Sequence, residues 1–384
     1  MATLKDIAKI TGVSTGTVSK VLTDAPELSR IGEETASRIR AAAASLGYRA
    51  NRNARALVMQ TSMTLGVYIA PHPGGRISPL YVSPILEGIC EAAQEKLYDV
   101  LLINIDTPDR DLRRTLEKYH SKRVDGVILV NFPGRMELLA PIQAAGLPVV
   151  GIDAFGDLPL SRVNLDNEAG IRAVVTHLHQ LGHRQLAFLG EQGTSVSRDH
   201  GLRQQAFEAA VRKLGLAAGC QVVDREQTGF QIPREGAYCR EDGYRGMDWL
   251  LAQHQPVTAL VAYNDLVAIG ALRRLNEAGI RVPEQISLTG FDDSFVSTHF
   301  LPSLTTVSHP VNQMGRRAVE LLLAVLAHPE RTVAVRTILA QPELVVRDST
   351  GPAPQPLCPR AARHRLHVDF IQPLSSKKRA QLQK

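Results

Sequence analysis

Apolar residues recur at helical spacing over the first sixty positions, and the pattern predicts three short helices. Thr3 is placed to cap the first, with Asp6 three residues later in a capping-box arrangement, and Gly12 ends it. Ser14 is placed to cap a second helix after a turn of two residues. A third helix is predicted over residues 33–46. Two helices joined by so short a glycine-containing turn form a helix-turn-helix unit.

The second of these helices leaves a polar face outward, because its apolar residues recur at i, i+3 and i+4. Such a face suits DNA: Thr15 offers a hydroxyl and a methyl group, Lys20 can donate to guanine, and Gly16 allows close approach. Thr17 and Ser19 suit phosphate oxygens. The alternative is a three-helix bundle whose surface is polar without binding anything.

From residue 64 onward, apolar strands alternate with amphipathic helices, which predicts parallel sheets covered on both faces. The series of strands occurs twice, so two similar lobes with a cleft between them are expected. The predicted strands are 65–70, 99–104, 126–130 and 149–153, then 185–190, 258–263 and 286–291; the helices of the second series lie near 169–181, 203–214, 243–252 and 265–278.

Polar residues collect where these strands end, at Asp153, at Asn264 and Asp265, and at Asp292 and Asp293. Ligands of open parallel sheets bind beyond the carboxyl ends of the strands. Carboxylates there accept several hydrogen bonds from hydroxyl groups, which favours a hydroxyl-rich ligand. The alternative is that these residues cap the helices that follow, with Asp265 and Asp293 as the best candidates.

The charge is unevenly distributed along the 384 residues. The net charge is +6; residues 1–60 hold nine Lys or Arg against five Asp or Glu, and residues 349–384 hold seven against one, which leaves −4 for the body. A basic head and a basic tail around an acidic body indicate that the ends bind a polyanion. The tail is rich in proline and its leucines lack a heptad, so a flexible segment is predicted rather than a coiled coil.

Several classes of protein find no support. The four cysteines include no CxxC pair, and two-residue spacing puts His177 and His179 on different helical faces, so neither predicts a metal site. No phosphate-binding glycine loop and no GxSxG nucleophile motif occurs, so we expect no cofactor and no enzymatic activity. No apolar run is long enough to span a membrane and the first residues show no signal core, which favours a cytoplasmic protein.

Two stretches of the head carry a more specific signal: TLKDIAKITGVSTGTVSKVLT and LGYRANRNARALV. Together they closely resemble the DNA-binding head of the lactose-repressor/galactose-repressor family of bacterial transcription regulators. The resemblance implies that the segment from Asn51 to Val58 folds into a hinge helix on DNA and that Leu57 is wedged into the minor groove, where an apolar side chain unstacks a base step. Gly32 and Ala50 depart from the family's serine and proline. The residues predicted to contact DNA are Leu4, Ser14, Thr15, Gly16, Thr17, Ser19, Lys20, Asn51, Arg52, Ala54, Arg55 and Leu57.

Three stretches of the body resemble the effector-binding core of the same family, which is related to periplasmic sugar-binding proteins: HLHQLGHRQLAFLG, AYNDLVAIGALRRLNEAGIRVPEQISLTGFDD and SLTTVSHPVNQMGRRAVELLL. By position, Arg203, Asn264 and Asp292 match residues that contact the effector, and Asp153 is a weaker match. Two aromatic residues could stack on a ring, although burial in the core is the stronger expectation for both. They are Phe291 and Tyr68.

The combined prediction is an α + α/β chain of four segments. These are a helix-turn-helix head (1–49), a hinge helix and linker (50–61), a two-lobed periplasmic-binding-protein-like core (62–348) and a basic flexible tail (349–384). The first lobe is expected to hold about 62–163 and 293–323, and the second 164–292 and 324–348.

The predicted function is regulation of transcription, most readily repression, by a homodimer on a near-palindromic operator. Two-fold protein symmetry matches a two-fold DNA site. A small molecule, by family frequency a sugar or sugar derivative, would bind between the lobes and control operator affinity. The alternative is a sugar-binding transport protein without catalytic activity, which would share the body but have no use for the head.

Overall fold

The computed structural model describes residues 2–22, 31–48, 61–70, 79–103, 115–132, 136–156, 158–190, 198–229, 240–253, 256–327 and 335–354. The predictions for the hinge, from Asn51 to Leu57, and for the tail beyond residue 354 fall outside these ranges.

The head consists of the three predicted helices, α1 (Leu4–Thr11), α2 (Thr15–Leu22) and α3 (Glu33–Ser45). The capping box is present: the Thr3 hydroxyl accepts from the Asp6 backbone N–H, and the Asp6 carboxylate accepts from the Thr3 backbone N–H at 2.8 Å. Gly12 ends α1 with a left-handed φ of 68°. The core of the head is apolar and buried, and comprises Ile7, Val18, Val21, Ala36, Ile39, Ala42 and Ala43.

The first lobe is built on a six-stranded parallel sheet in the order β11-β5-β4-β3-β1-β2. Five of its strands come from the first half of the chain, and the predicted strands among them are confirmed to within a few residues. Its strands are β1 (Thr64–Ile69), β2 (Asp99–Ile103), β3 (Gly126–Val130), β4 (Val149–Ile152), β5 (Ser161–Leu165) and β11 (Thr337–Ala340); its helices include α4 (Pro79–Glu95) and α5 (Met136–Ala144).

The second lobe is built on a four-stranded parallel sheet in the order β7-β6-β8-β9. Its buried strands follow the apolar runs seen in the sequence, except for the short edge strand β7. Its strands are β6 (Leu186–Leu189), β7 (Gln221–Val223), β8 (Ala259–Ala262) and β9 (Ser287–Thr289); its helices are α6 (Asn167–Gln180), α7 (Arg198–Lys213), α8 (Arg225–Thr228), α9 (Arg240–Ala252) and α10 (Asp265–Glu277).

The last part of the chain connects the lobes. The strands β10 (Thr306–Ser308) and β12 (Glu343–Val345) pair antiparallel, and between them α11 (Val311–Ala327) packs against α4 of the first lobe. The prediction that residues 324–348 belong to the second lobe is wrong for β11. That strand pairs in parallel with β5 over four residues, from Thr337 opposite Arg162 to Ala340 opposite Leu165, because β5 would otherwise be an unpaired edge of the first sheet.

The boundary predicted for the flexible tail also needs a correction. Ser349 is buried, its carbonyl oxygen accepts from the Leu288 N–H at 2.8 Å, and its hydroxyl donates to the Leu288 carbonyl at 2.6 Å. The Ala353 N–H donates to the Leu181 carbonyl at 2.8 Å. Residues 349–353 are therefore part of the second lobe, because Ser349 hydrogen-bonds to β9 and Ala353 to the residue that follows α6.

Glycines allow close helix contacts in each lobe. In the second lobe, an added Cβ at Gly243 of α9 would overlap the Val267 carbonyl oxygen of α10, and one at Gly270 would overlap the Arg240 carbonyl. In the first lobe, Gly88 of α4 faces α11 in the same way. None of the helices in the described ranges is long and apolar enough to cross a membrane.

Candidate functional sites

The outer face of α2 is accessible, as its predicted role requires. Thr15, Gly16 and Lys20 are exposed, and Ser19 is half-buried. Leu4 is half-buried and packs against the core of the head rather than extending from it. The surface predicted to read DNA is therefore present, and the contacts themselves stay a prediction.

Hydroxyl groups fix the turn between α1 and α2. The Ser14 hydroxyl accepts from the Thr17 backbone N–H at 3.1 Å and lies 2.9 Å from the Thr17 hydroxyl, so Ser14 caps α2 as the sequence predicts. The Arg38 guanidinium of α3 donates to the Thr11 carbonyl at 2.6 Å. The first turn of α2 is thereby held in one orientation on the bundle.

Arg203 is the centre of the candidate ligand site in the body. It lies on α7 and is 5% exposed. Its Nε donates to Asn167 Oδ1 at 2.8 Å, and its Nη1 donates to the Tyr263 carbonyl oxygen at 2.8 Å and to Asp292 Oδ1 at 3.3 Å. The guanidinium carbon lies 3.8 Å from the centre of the Phe291 ring, a close cation–π contact. A buried guanidinium is thus paired with a carboxylate at the carboxyl end of β9.

The side chain of Asp292 is 22% exposed, against 6% for Arg203 and 0% for His309, and its backbone φ is 110°. Backbone conformations that L residues rarely adopt persist where the surrounding structure enforces them, and they cluster at ligand sites. Asp153 and Asn131, which follow β4 and β3 of the first lobe, also have left-handed φ values of 46° and 55°. In both lobes, polar residues that follow a strand therefore have backbone conformations with positive φ, which set the direction of their side chains.

Asp153 is buried, and its carboxylate is engaged within the first lobe. Its Oδ1 accepts from the Leu165 N–H at 3.0 Å, and its Oδ2 accepts a hydrogen bond from the Tyr81 hydroxyl. The structure thus connects Asp153 to α4 through Tyr81, a residue that the sequence reasoning did not single out. A role of Asp153 in ligand binding stays a prediction.

Helix capping distinguishes the two neighbours Asn264 and Asp265. Asn264 caps α10, because its Oδ1 accepts from the Val267 N–H at 2.9 Å. Asp265 is buried and does not cap the helix; it accepts from Ser294 N–H and Oγ at 2.7 and 2.8 Å and from Thr306 Oγ1 at 2.5 Å. Burial raises the pKa of Asp265 to about 6 despite these hydrogen bonds.

Asp293 does not act as a cap either. Its carboxylate pairs with Arg347 Nη2 at 2.5 Å and accepts from Ser297 Oγ at 3.2 Å. The carboxylates of Asp265 and Asp293 therefore hold the segment that leaves β9.

The two aromatic candidates are buried. Phe291 is 0% exposed, and its ring packs against Gly170, where an added Cβ would lie only 2.8 Å from the ring. Tyr68 is 2% exposed in the core of the first lobe. This is the core packing expected for both, so a stacking role against a ligand has no further support.

His309 was missed by the sequence reasoning and lies beside the Arg203 cluster, just after β10. Its ring stacks on that of Tyr81 at 5.8 Å, lies 5.9 Å from that of Phe291, and places Nε2 4.0 Å from Asp292 Oδ1. The pKa of His309 is lowered to about 3, mainly by burial and then by the charge of Arg203, so the ring is neutral at physiological pH. The available signal was its place at the end of a short apolar strand.

The histidines near the end of α6 have structural partners. His177 Nε2 lies 3.0 Å from Thr350 Oγ1, and His183 bonds to Thr258 Oγ1 at 2.9 Å and to the Gly351 carbonyl at 3.0 Å. Among the residues that the structure describes, no group of three or more His, Cys, Asp or Glu side chains could hold a metal ion. These histidines instead attach the segment after β12 to the second lobe.

Two protein-family models match separate parts of the chain. A family model described as bacterial regulatory proteins, lacI family, matches residues 3–51, and one described as a periplasmic binding protein-like domain matches residues 175–350. The HTH-type transcriptional repressor PurR of Haemophilus influenzae (strain PittEE) is 30% identical over 352 residues, which are 91% of this chain and 98% of that protein. The HTH-type transcriptional regulator RegA of Clostridium saccharobutylicum is 29% identical over 354 residues, 91% of this chain and all of that protein.

Solved structures show the same architecture. The lac repressor dimer bound to operator and the anti-inducer ONPF matches with a TM-score of 0.74 and 25% identity over 91% of this chain and 99% of that one. A complex of the transcriptional regulator CelR with cellobiose matches with a TM-score of 0.64 and 25% identity over 91% of this chain and the whole of that one. The predicted resemblance and fold class are confirmed.

Proposed function

Because the chain belongs to the lacI family of bacterial regulatory proteins, we propose that it is a transcriptional repressor whose affinity for operator DNA is controlled by a small molecule bound between its lobes. One observation carries the proposal. The same chain presents an exposed helix-turn-helix face and, in its body, a buried Arg203–Asp292 cluster at the carboxyl ends of parallel strands. The first is a means of reading DNA, and the second is a place for a ligand.

The protein acts as a homodimer on a near-palindromic site in the bacterial cytoplasm, where two heads engage two half-sites. Effector binding changes the angle between the lobes and with it the spacing of the two hinges. A coupling of about 1–3 kcal/mol between the two sites is typical of such regulators. Leu57 serves as the apolar wedge at the centre of the operator, and folding of the hinge is where the coupling is expressed.

Retention of DNA from the protein's own promoter region, measured by gel shift, tests the DNA-binding half. Lys20→Ala should weaken specific binding by about 5- to 150-fold, the effect of one lost base contact. Lys96→Ala removes the same charge from an exposed site on the body and should change little. Absence of any specifically retained fragment would favour the transport-protein alternative.

The wedge is tested separately from the recognition helix. Leu57→Ala should weaken specific binding and leave non-specific affinity nearly unchanged, because phosphate contacts dominate the latter. Equal losses on operator and on unrelated DNA would contradict the wedge.

The effector is a carbohydrate, in keeping with the acceptor-rich strand ends and with the cellobiose complex of CelR. Thermal-shift screening against carbohydrates and nucleobases identifies it, since a ligand at 100 times its Kd adds about 2.7 kcal/mol of stability. Asp292→Asn should abolish the ligand response and retain operator binding, whereas Asp248→Asn, at an exposed carboxylate on α9, should alter neither. An unchanged dose response in Asp292→Asn would remove this residue from the site.

A further inference from the structure

Both ring nitrogens of His309 lack a hydrogen-bond partner, and among the buried side-chain atoms of the described residues this is otherwise true only of Asn131 Oδ1. The side chain of His309 is 0% exposed. The Val307 carbonyl opposes the lowering of its pKa but does not reach hydrogen-bond geometry with the ring. Buried polar groups are nearly always paired, and those that are not occur where a ligand, a water or a functional role accounts for them.

The surroundings of Nε2 define what could pair with it. Asp292 Oδ1 lies 4.0 Å away, too far for a direct hydrogen bond, and already accepts from Arg203 at 3.3 Å. A carboxylate at this distance favours the tautomer that carries its proton on Nε2. A single oxygen atom placed about 2.8 Å from both groups would subtend an angle of roughly 90° between them, which hydrogen bonds to a hydroxyl tolerate.

Such a bridging atom must accept from His309 and donate to Asp292 at the same time. A hydroxyl group does both, whereas a ring N–H of a purine only donates and a carboxylate only accepts. A carboxylate of a ligand accepts from the Nε2–H of the neutral imidazole, but it cannot donate to Asp292, whose negative charge opposes it.

We propose that His309 is a specificity-determining residue of the effector site, and that it and Asp292 together hold one hydroxyl group of an uncharged polyol. The assignment rests on the proposed function and makes its ligand class more specific. The ring of Tyr81, carried by α4 of the first lobe, stacks on that of His309 at 5.8 Å. The bound hydroxyl supplies the hydrogen-bond partner that the ring nitrogens of His309 otherwise lack.

The first test needs no ligand and compares two buried histidines in the full-length protein. His309→Leu replaces unpaired nitrogens by apolar atoms of similar volume, so it should raise the Tm by about 2–4 °C. His183→Leu removes two hydrogen bonds and should lower the Tm, because it leaves the Thr258 hydroxyl and the Gly351 carbonyl without that partner. A fall in the Tm of His309→Leu comparable to that of His183→Leu would overturn the proposal, since it would mean that the ring is paired.

The second test uses a panel of neutral sugars (glucose, galactose, ribose, cellobiose), uronates (glucuronate, galacturonate) and purines (guanine, hypoxanthine). For the compound that stabilises the wild type most, expected to be a neutral sugar, His309→Leu should raise the Kd by roughly tenfold. His309→Gln, which keeps a donor and an acceptor, should raise it less than about threefold.

The outcomes separate the two proposals. An unchanged Kd in His309→Leu overturns the role of His309 and leaves the carbohydrate effector intact. Preferential binding of a uronate or a purine overturns the hydroxyl bridge together with the carbohydrate class but leaves an effector-controlled regulator. Stabilisation by no compound of the panel contradicts the carbohydrate class of the proposed function and the His309 assignment with it.

Discussion

Replacement of Arg203 by methionine should be among the most destabilising single changes in the second lobe. Methionine keeps an apolar side chain against the Phe291 ring but has none of the hydrogen-bond donors of the guanidinium. The Nε and Nη1 hydrogen bonds, both 2.8 Å long, are lost, and the acceptors left behind are buried. Each unpaired buried acceptor costs roughly 1–3 kcal/mol. The 3.3 Å pair with Asp292 adds about 1 kcal/mol or less, because that carboxylate is 22% exposed and solvent screens the interaction. The free energy of unfolding should therefore fall by about 2–7 kcal/mol.

Urea titration measures this loss, with fluorescence of Trp249 as the probe. Trp249 is the single tryptophan of the sequence and lies on α9 of the second lobe, where it packs against the core. Wild type and variant are compared at equal protein concentration, because association stabilises a dimer by mass action.

Arg172→Met is the matched control. Arg172 also pairs with a carboxylate, Glu168, at 3.0 Å, but the two side chains are 51% and 74% exposed. Its loss should cost less than about 0.5 kcal/mol. A loss below about 1 kcal/mol in Arg203→Met, or losses of equal size in the two variants, would refute the argument that burial makes the Arg203 contacts strong.

Three further predictions concern other parts of the chain. Gly243→Ala should destabilise the second lobe by about 1–3 kcal/mol, because the added methyl group meets the backbone of the facing helix. Gly201→Ala, where an added Cβ has nothing within 4 Å, should instead stabilise its helix by up to about 1 kcal/mol. Urea titration of the two variants compares these effects. Thr3→Ala should lower the Tm of the head by removing the helix cap, a loss of about 1 kcal/mol visible in circular dichroism, and an unchanged Tm would mean that the capping box contributes nothing. The pKa of Asp265 is raised to about 6 from an ordinary 3.8, so the free energy of unfolding falls as the pH rises through 6. The pKa of His309 is lowered to about 3 from 6.5, so the free energy of unfolding falls as the pH drops below 6.5. In Asp265→Asn, the free energy of unfolding should therefore rise more steeply between pH 4 and 6 than in the wild type, by up to about 1.4 kcal/mol per pH unit in urea titrations. Equal pH dependence in the two proteins would contradict the raised pKa of Asp265.

Local patterns in the sequence determined the ends of the first two helices and the positions of the buried strands. Thr3 with Asp6, Gly12 and Ser14 specify the ends of the first two helices through hydrogen bonds between near neighbours. The buried parallel strands are continuous apolar runs, so periodicity and length identify them without reference to the fold. The similarity of two such series also predicts two lobes.

The tertiary structure alone decided the rest. The strand β5 and the edge strands β7 and β11 are short and only partly apolar, and the place of β11 in the first sheet depends on the unpaired edge of β5, which no local pattern reveals. Asn264 rather than Asp265 caps α10, because the Asp265 carboxylate accepts hydrogen bonds from Ser294 and Thr306, which lie far along the sequence.

The candidate site divides in the same way. Arg203 was predicted from the resemblance to the family, and Asp292 from that resemblance and from its place after a strand. Tyr81 and His309, in contrast, become neighbours only when α4 of the first lobe meets the segment after β10. Burial then leaves the imidazole neutral and unpaired. Desolvation depends on the three-dimensional surroundings of a side chain, so the lowered pKa of His309 could not be predicted from the sequence.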